Sequence, residues 1–134
     1  MQARPFPQIL VFLVVAIAIT QIFAESYYWY WLMRWFDMPM HFAGGLWVAG
    51  VVLWWRFFSG RCASAPIAIK PLFIWAVMGA VGIGALWEVY EAGVSYLTVG
   101  HMNDMFDTFG DLVFDILGGL MAASIVYLRT SNKQ

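Results

Sequence analysis

Four long apolar stretches constrain the fold of this 134-residue chain more than any other feature. A helix needs about 20 residues to cross the hydrocarbon core of a bilayer, and residues 6–24, 38–58, 71–96 and 106–128 form apolar runs of about this length. Charged residues make up only 11% of the chain, whereas a typical soluble domain contains about 25%. The sequence therefore predicts an all-α membrane protein, a single domain folded as a bundle of four transmembrane helices.

The last two connectors, SGRCASAP at 59–66 and TVGHMND at 98–104, are polar and short. Cys62, in the connector SGRCASAP, is the only cysteine, so an intramolecular disulfide and a cysteine-rich metal site are excluded, and we interpret it as an ordinary loop thiol. Because Arg4 precedes an apolar run and IFA at 22–24 resembles a cleavage site, the first run is open to a second interpretation as a signal peptide. We favour a membrane helix, since isoleucine suits such a cleavage site poorly.

The basic residues predict the orientation, because Lys and Arg accumulate on the cytoplasmic side of membrane proteins. With both termini in the cytoplasm, only Arg34 of the seven basic residues lies outside. The other six lie inside, namely Arg4, Arg56, Arg61, Lys70, Arg129 and Lys133. We therefore expect a multi-pass protein of the bacterial inner (plasma) membrane with both its N- and C-termini inside.

The acidic residues and both histidines occupy the opposite half of the predicted bundle. Asp111 and Asp115 lie roughly 8 and 14 Å beyond the start of the fourth helix, so neither is a terminal residue. The others in this outer half are Glu25, Asp37, His41, Glu88, Glu91, His101, Asp104 and Asp107. Acids contribute little to topology, so their concentration on one side indicates a site that uses carboxylates.

The spacing of these residues places each set on one face of its helix. Asp37 and His41 are four residues apart, Glu88 and Glu91 are three apart, and Asp107, Asp111 and Asp115 follow at intervals of four. The same faces carry small residues, at Gly45, Gly84 and Gly118. Small residues mark the places where membrane helices approach one another. We therefore expect the three acidic faces to point into the bundle and to meet.

The negative charge of such a cluster of carboxylates must be neutralised or solvated. One Asp at the centre of a membrane helix costs about 2.5 to 3.5 kcal/mol, and neighbouring carboxylates repel one another. Protons, divalent cations or a water-filled cleft would each relieve this cost, and we favour a cation in a cleft. Carboxylates with one imidazole suit Mg²⁺, Mn²⁺ or Ca²⁺, and suit Zn²⁺ or iron less well. The predicted ligands are Asp37, His41, Glu88, Glu91, Asp107, Asp111 and Asp115.

Several of these residues also have a simpler interpretation. Asp104 and Asp107 would serve as caps of the fourth helix, and Asp37 as the cap of the second. Considered by itself, His41 would be interpreted as an interior histidine whose hydrogen bonds are satisfied. His101 is the weakest candidate because it lies in an outer loop. The intramembrane acids would then be protonated carboxyls hydrogen-bonded between helices.

The aromatic run SYYWYWLMRWF at 26–36 indicates an interfacial belt or a shallow segment covering the acidic site.

Three motifs, DMPMHFAGG, LWEVYE and DTFGDLVFDILGG, resemble the VanZ-like and YjdF-like bacterial inner-membrane proteins over residues 37–119. The residues that match the family pattern are Asp37, His41, Glu88, Asp107, Asp111, Asp115 and Gly118. Met38 replaces a usual Lys, Glu91 a common Gln, and Asp115 a common Asn, so this chain is more acidic there than VanZ-like proteins. The resemblance implies the fold and the site, and an envelope or antibiotic-resistance role, since VanZ-like proteins are associated with teicoplanin resistance.

Our leading hypothesis is a metal-dependent membrane enzyme that acts on a lipid or lipid-linked envelope substrate. His41, Glu88 and Asp111 would be its catalytic residues, and water bound to the metal would attack an ester or phosphoester. The alternatives are a protein that handles protons or cations, with an oligomer left open, and an accessory subunit whose buried acids specify packing. No basic surface for nucleic acid is present in the sequence.

Overall fold

The computed structural model describes residues 5–61, 67–98 and 105–131. All regular secondary structure in these residues is helical, which confirms the predicted all-α class. Four helices are long and apolar enough to cross a membrane, as predicted. They are Gln8–Ser26, Asp37–Phe58, Ile69–Leu97 and Met105–Ser131.

The described chain forms five α-helices, α1 Gln8–Ser26, α2 Trp29–Leu32, α3 Asp37–Leu53, α4 Ile69–Thr98 and α5 Met105–Ser131. A π-helical turn, Trp54–Phe58, extends α3. Pro7 precedes α1, and Pro39 and Pro71 lie in the first turns of α3 and α4. Proline is tolerated there because the first N–H groups of a helix have no partner within it. The prolines thus help to define where three of the spans begin.

The core is built by α3, α4 and α5, which all pack against one another, whereas α1 lies against α3. The buried core consists of four small residues, Ala49, Ala76, Ala122 and Ala123, and two larger ones, Leu53 and Leu72. Small side chains allow the close backbone approach on which helix packing in a membrane depends. Only Leu10 and Ala24 of α1 are buried. The predicted four-helix bundle is therefore a three-helix core with α1 at its side.

The closest approach in the core is between α3 and α5. A Cβ atom on Gly45 would overlap the backbone of Asp115, and one on Gly118 would overlap the carbonyl oxygen of Phe42 and lie 2.6 Å from the backbone nitrogen of Leu46. These contacts involve backbone atoms, which no side-chain rotation can remove. The two glycines therefore set the register of α3 on α5 and bring the start of α3 beside Asp115.

The aromatic run between α1 and α3 folds into one helical turn, α2, and the residues around it. Tyr28 takes up the left-handed conformation, with φ of 56°, just before this turn. The ring of buried Phe36 makes edge contacts with Trp29 and Tyr30, each with centroids 5.3 Å apart. Trp31 remains 81% exposed. This run therefore combines an anchored inner side with exposed rings, and its role as a belt or as a cover remains a prediction.

Candidate functional site

His41 is the centre of the predicted site and is buried near the start of α3. Its Nδ1 atom lies 3.3 Å from Oδ2 of Asp115 on α5. Its Nε2 atom lies 3.6 Å from Oδ1 of Asp37 on α3 and 3.6 Å from Oε1 of Glu88 on α4. One imidazole ring thus contacts carboxylates from all three core helices.

Two sets of potential ligand atoms share this histidine. In one set, atoms of Asp37, His41 and Asp111 all lie within 4.8 Å of one another, and in the other the same holds for His41, Glu88 and Glu91. Ligand atoms on opposite sides of an ion are separated by twice the metal–ligand distance, about 4 Å for Mg²⁺ and about 5 Å for Ca²⁺. The spacing is therefore compatible with a hard cation in either set.

The atoms that face one another at the centre of the site lack hydrogen-bond partners. Among the described residues, Nε2 of His41 and both carboxylate oxygens of Glu88 are buried and accept or donate no hydrogen bond. Leaving one buried polar group unpaired costs about 1–3 kcal/mol, and more when the group is charged. Native structures contain few such groups, and each one needs an explanation, such as a bound ion or water.

Gly84 makes room for the contact between Nδ1 of His41 and Oδ2 of Asp115. A Cβ atom on Gly84 would overlap Oδ2 of Asp115, the same oxygen that contacts Nδ1 of His41. Gly84 precedes Glu88 by one helical turn, so α4 presents an open position beside Asp115 and a carboxylate beside His41. The small residues predicted on the acidic faces therefore shape the site directly.

Five of the seven predicted ligands supply the two sets of atoms, and the other two, Asp107 and Asp115, belong to neither set. Asp115 contacts Nδ1, across the ring from Nε2, and belongs to neither set. Asp107 is exposed in the first turn of α5, where a carboxylate complements the helix dipole, and it also belongs to neither set. Asp37 begins α3 and approaches His41. His101, Asp104 and Cys62 lie outside the described residues.

The site opens onto a cleft of about 270 Å³ between α1, α3 and α4. Gln21, at its polar end, was not predicted as part of any site, and Tyr30, beside it, was not singled out from the aromatic run predicted as a belt or a cover. The Tyr30 hydroxyl donates a hydrogen bond to Oε1 of Gln21, and burial, followed by the nearby Asp37 carboxylate, raises the pKa of Tyr30. Gln21 could have been noticed as a polar residue in an apolar helix, but Tyr30 was hidden among the other aromatic residues.

Comparison with known proteins gives a family but no activity. No curated protein and no solved structure matches the chain. The family described as "Predicted membrane protein (DUF2238)" matches residues 2–132, which is almost the whole chain. Together with the four apolar helices that are long enough to span a bilayer, this match shows that the chain is a multi-pass membrane protein that belongs to the DUF2238 family.

Proposed function

We propose that the cluster around His41 binds a divalent cation, and that the protein is a metal-dependent enzyme acting on a lipid or lipid-linked envelope substrate. The observation that supports this best is the pair of unpartnered groups at the centre of the site. Nε2 of His41 and Oε1 of Glu88 are buried, face one another at 3.6 Å, and have no hydrogen-bond partner among the described residues. A cation between them would satisfy both groups and would offset the repulsion between the carboxylates.

In this proposal His41 and Glu88 are the central ligands. His41 belongs to both ligand sets, Asp37 and Asp111 complete the first, and Glu88 and Glu91 complete the second. We assign Asp115, which we predicted as a ligand, a different role in this proposal: its contact with Nδ1 would orient the ring and leave Nε2 free to bind the ion. Histidine ligands of metals are commonly held by a carboxylate in this way. The donor set suits Mg²⁺, Mn²⁺ or Ca²⁺ better than Zn²⁺ or iron.

The same residues would support hydrolysis of an ester or phosphoester. A divalent cation lowers the pKa of a bound water and polarises a phosphoryl or carbonyl oxygen. Asp111 and Glu91 each lie beside His41 in one ligand set, and either carboxylate would accept a proton from the attacking water when it does not bind the ion. A phosphate-bearing substrate also requires the cation for binding, since the carboxylates alone would repel it.

The cellular setting of this proposal is the bacterial inner membrane, with the site facing outward. The distribution of basic residues supports it, because Arg56, Arg61, Lys70 and Arg129 lie at the ends of spans away from His41. The relation to VanZ-like or YjdF-like proteins is part of the same proposal, and it is supported by the motifs that contain Asp37, His41 and Glu88.

The experiment is a lipid-turnover assay in proteoliposomes made from a bacterial total lipid extract. Lipids are analysed by mass spectrometry after incubation with Mn²⁺, Mg²⁺, Ca²⁺ or EDTA. We expect a lipid product that requires the cation, is lost in Asp111→Asn, and persists in the control Glu25→Gln. Glu25 is an exposed acid of α1 outside both ligand sets, and its side chain accepts a hydrogen bond from Gln21.

The alternatives give different results in the same vesicles. A protein that handles cations would produce a flux dependent on Asp111 and no new lipid species. An accessory subunit would produce neither, and Asp111→Asn would then act only on folding, which SDS-induced unfolding of the purified variants measures. Either outcome would refute the enzymatic proposal.

A further inference from the structure

The cleft beside the site has a polar end and an apolar end. Its outer end contains Gln21, Tyr30 and His41, together with the carboxylates of Asp37 and Asp115. Its deeper end is lined by aliphatic residues from three helices, Val14, Val48 and Ala80. An apolar cavity of this kind does not hold water well. The gradient from charged to aliphatic matches the two parts of an amphiphile.

The depth of the cleft corresponds to one leaflet of a bilayer. Its lining on α3 runs from Asp37 to Val48, which is about 16 Å along the helix axis. The hydrocarbon core of a bilayer is about 30 Å thick, so a single leaflet contributes about 15 Å. A lipid chain that begins at the level of the carboxylates would therefore reach the deep end of the cleft without crossing the bilayer midplane.

The cleft is also open toward the lipid. Among the described elements, α1 packs on α3 and α2 and has no extensive contact with α4, which leaves a gap between α1 and α4. Two residues that line the cleft at this gap, Ile83 and Trp87 of α4, are 51% and 43% exposed. In a membrane this exposed surface faces hydrocarbon, so a chain can enter sideways from the bilayer.

We infer that the cleft between α1, α3 and α4 binds one acyl chain of a membrane glycerolipid and places its headgroup beside Asp37 and His41, which line the cleft and belong to one proposed ligand set. Only the placement of the headgroup rests on the proposed function, because the headgroup is the group that the cation would bind. The chain itself is held by apolar burial along α3 and α4. The substrate class is accordingly a diacyl lipid with a phosphate-bearing headgroup.

Gly44 supplies a selective test, because it lines the cleft and a Cβ atom built on it meets no described atom within 4 Å. Gly44→Leu should therefore fill the cleft without disturbing the packing of the helices. Gly82→Leu is the matched control, since Gly82 has the same free space but lies on the outer surface of α4 and does not line the cleft. Ala18→Leu, from the α1 wall, is a second filling variant.

The probe is phosphatidylglycerol that carries a diazirine near the end of one acyl chain, in vesicles of phosphatidylethanolamine and phosphatidylglycerol. After illumination, mass spectrometry maps the cross-linked residues. We expect cross-links at Val14, Val48 or Ala80 in the wild type and in Gly82→Leu, and their loss in Gly44→Leu and Ala18→Leu. Cross-links spread over the exposed helix faces and unaffected by filling would overturn the inference.

The outcome also separates this inference from the cation proposal. If cross-links map to the cleft but titration shows that the wild type binds no Mn²⁺, the chain-binding cleft stands and the cation proposal fails. If the wild type binds Mn²⁺ but its cross-links avoid the cleft, the cation proposal stands and the inference fails. Unfolding by SDS is measured for each variant, and a filling variant is used only if its midpoint matches that of Gly82→Leu.

Discussion

Replacing Gly118 by Ala tests the close approach of α3 and α5 on which the site depends. A Cβ atom there would overlap the carbonyl oxygen of Phe42 and lie 2.6 Å from the backbone nitrogen of Leu46, whereas ordinary van der Waals contact begins at 3.4 Å. Because both neighbours are backbone atoms, the two helices must separate by about 1 Å. This movement would also draw Asp115 away from His41.

The expected magnitude follows from comparison with a glycine on the same helix. Overpacking of this kind costs about 1–3 kcal/mol. At Gly110, an added Cβ atom meets no described atom within 4 Å, so Gly110→Ala should gain up to about 1 kcal/mol of helix propensity. Gly118→Ala gains the same propensity, so the two gains cancel, and we expect its free energy of unfolding to lie about 1–3 kcal/mol below that of Gly110→Ala.

The assay is SDS-induced unfolding in mixed micelles, followed by far-ultraviolet circular dichroism. Binding of Mn²⁺ is titrated in the same samples, and it should weaken in Gly118→Ala and remain unchanged in Gly110→Ala. Equal unfolding midpoints for the two variants would refute the close backbone approach described for α3 and α5.

Three further predictions concern topology, the attachment of α1 and the orientation of the histidine. Cys62, the only cysteine, should react with a membrane-impermeant maleimide only after spheroplasts are lysed, and labelling of intact spheroplasts would invert the proposed topology. Trp47→Phe removes the indole N–H that donates to the Leu10 carbonyl at 2.8 Å, and should lower the free energy of unfolding by about 0.5–1.5 kcal/mol, with an unchanged SDS midpoint as the contradicting result. Asp115→Asn should weaken Mn²⁺ binding by about 10- to 100-fold in isothermal titration. Complete loss of Mn²⁺ binding would indicate that Asp115 is a ligand, and an unchanged affinity would show that it does not orient His41.

The sequence was sufficient for the helices and for the faces that meet. Long apolar runs have few alternatives in lipid, because a helix is the simplest way to satisfy every backbone group there. The spacing of four residues between Asp37 and His41, and of three between Glu88 and Glu91, predicted that each pair shares one face of its helix. Gly45 and Gly118 then indicated where α3 and α5 approach, and the structure has both in contact with the opposite backbone.

The arrangement of the helices could not be read from the same patterns. The apolarity of α1 does not distinguish a central position from a peripheral one, since lipid and protein are similar surroundings for aliphatic side chains. A cleft at the acidic site was predicted, but for the same reason the position of α1 as one of its walls was not. The position of Asp115 across the imidazole from Nε2 depends on the rotation of α5 by a fraction of a turn, and spacing along the chain cannot specify this.

The most direct test of the cation proposal is elemental analysis of the purified protein. Wild type, Glu88→Gln and Glu25→Gln are prepared without chelator, analysed for divalent metals, and then unfolded by heating with and without added Mn²⁺, Mg²⁺ or Ca²⁺. We predict that a divalent metal accompanies the wild type and Glu25→Gln, that the same ion raises their melting temperatures, and that Glu88→Gln loses both effects. A wild-type protein that carries no divalent metal and gains no thermal stability from any of the three ions would contradict the account.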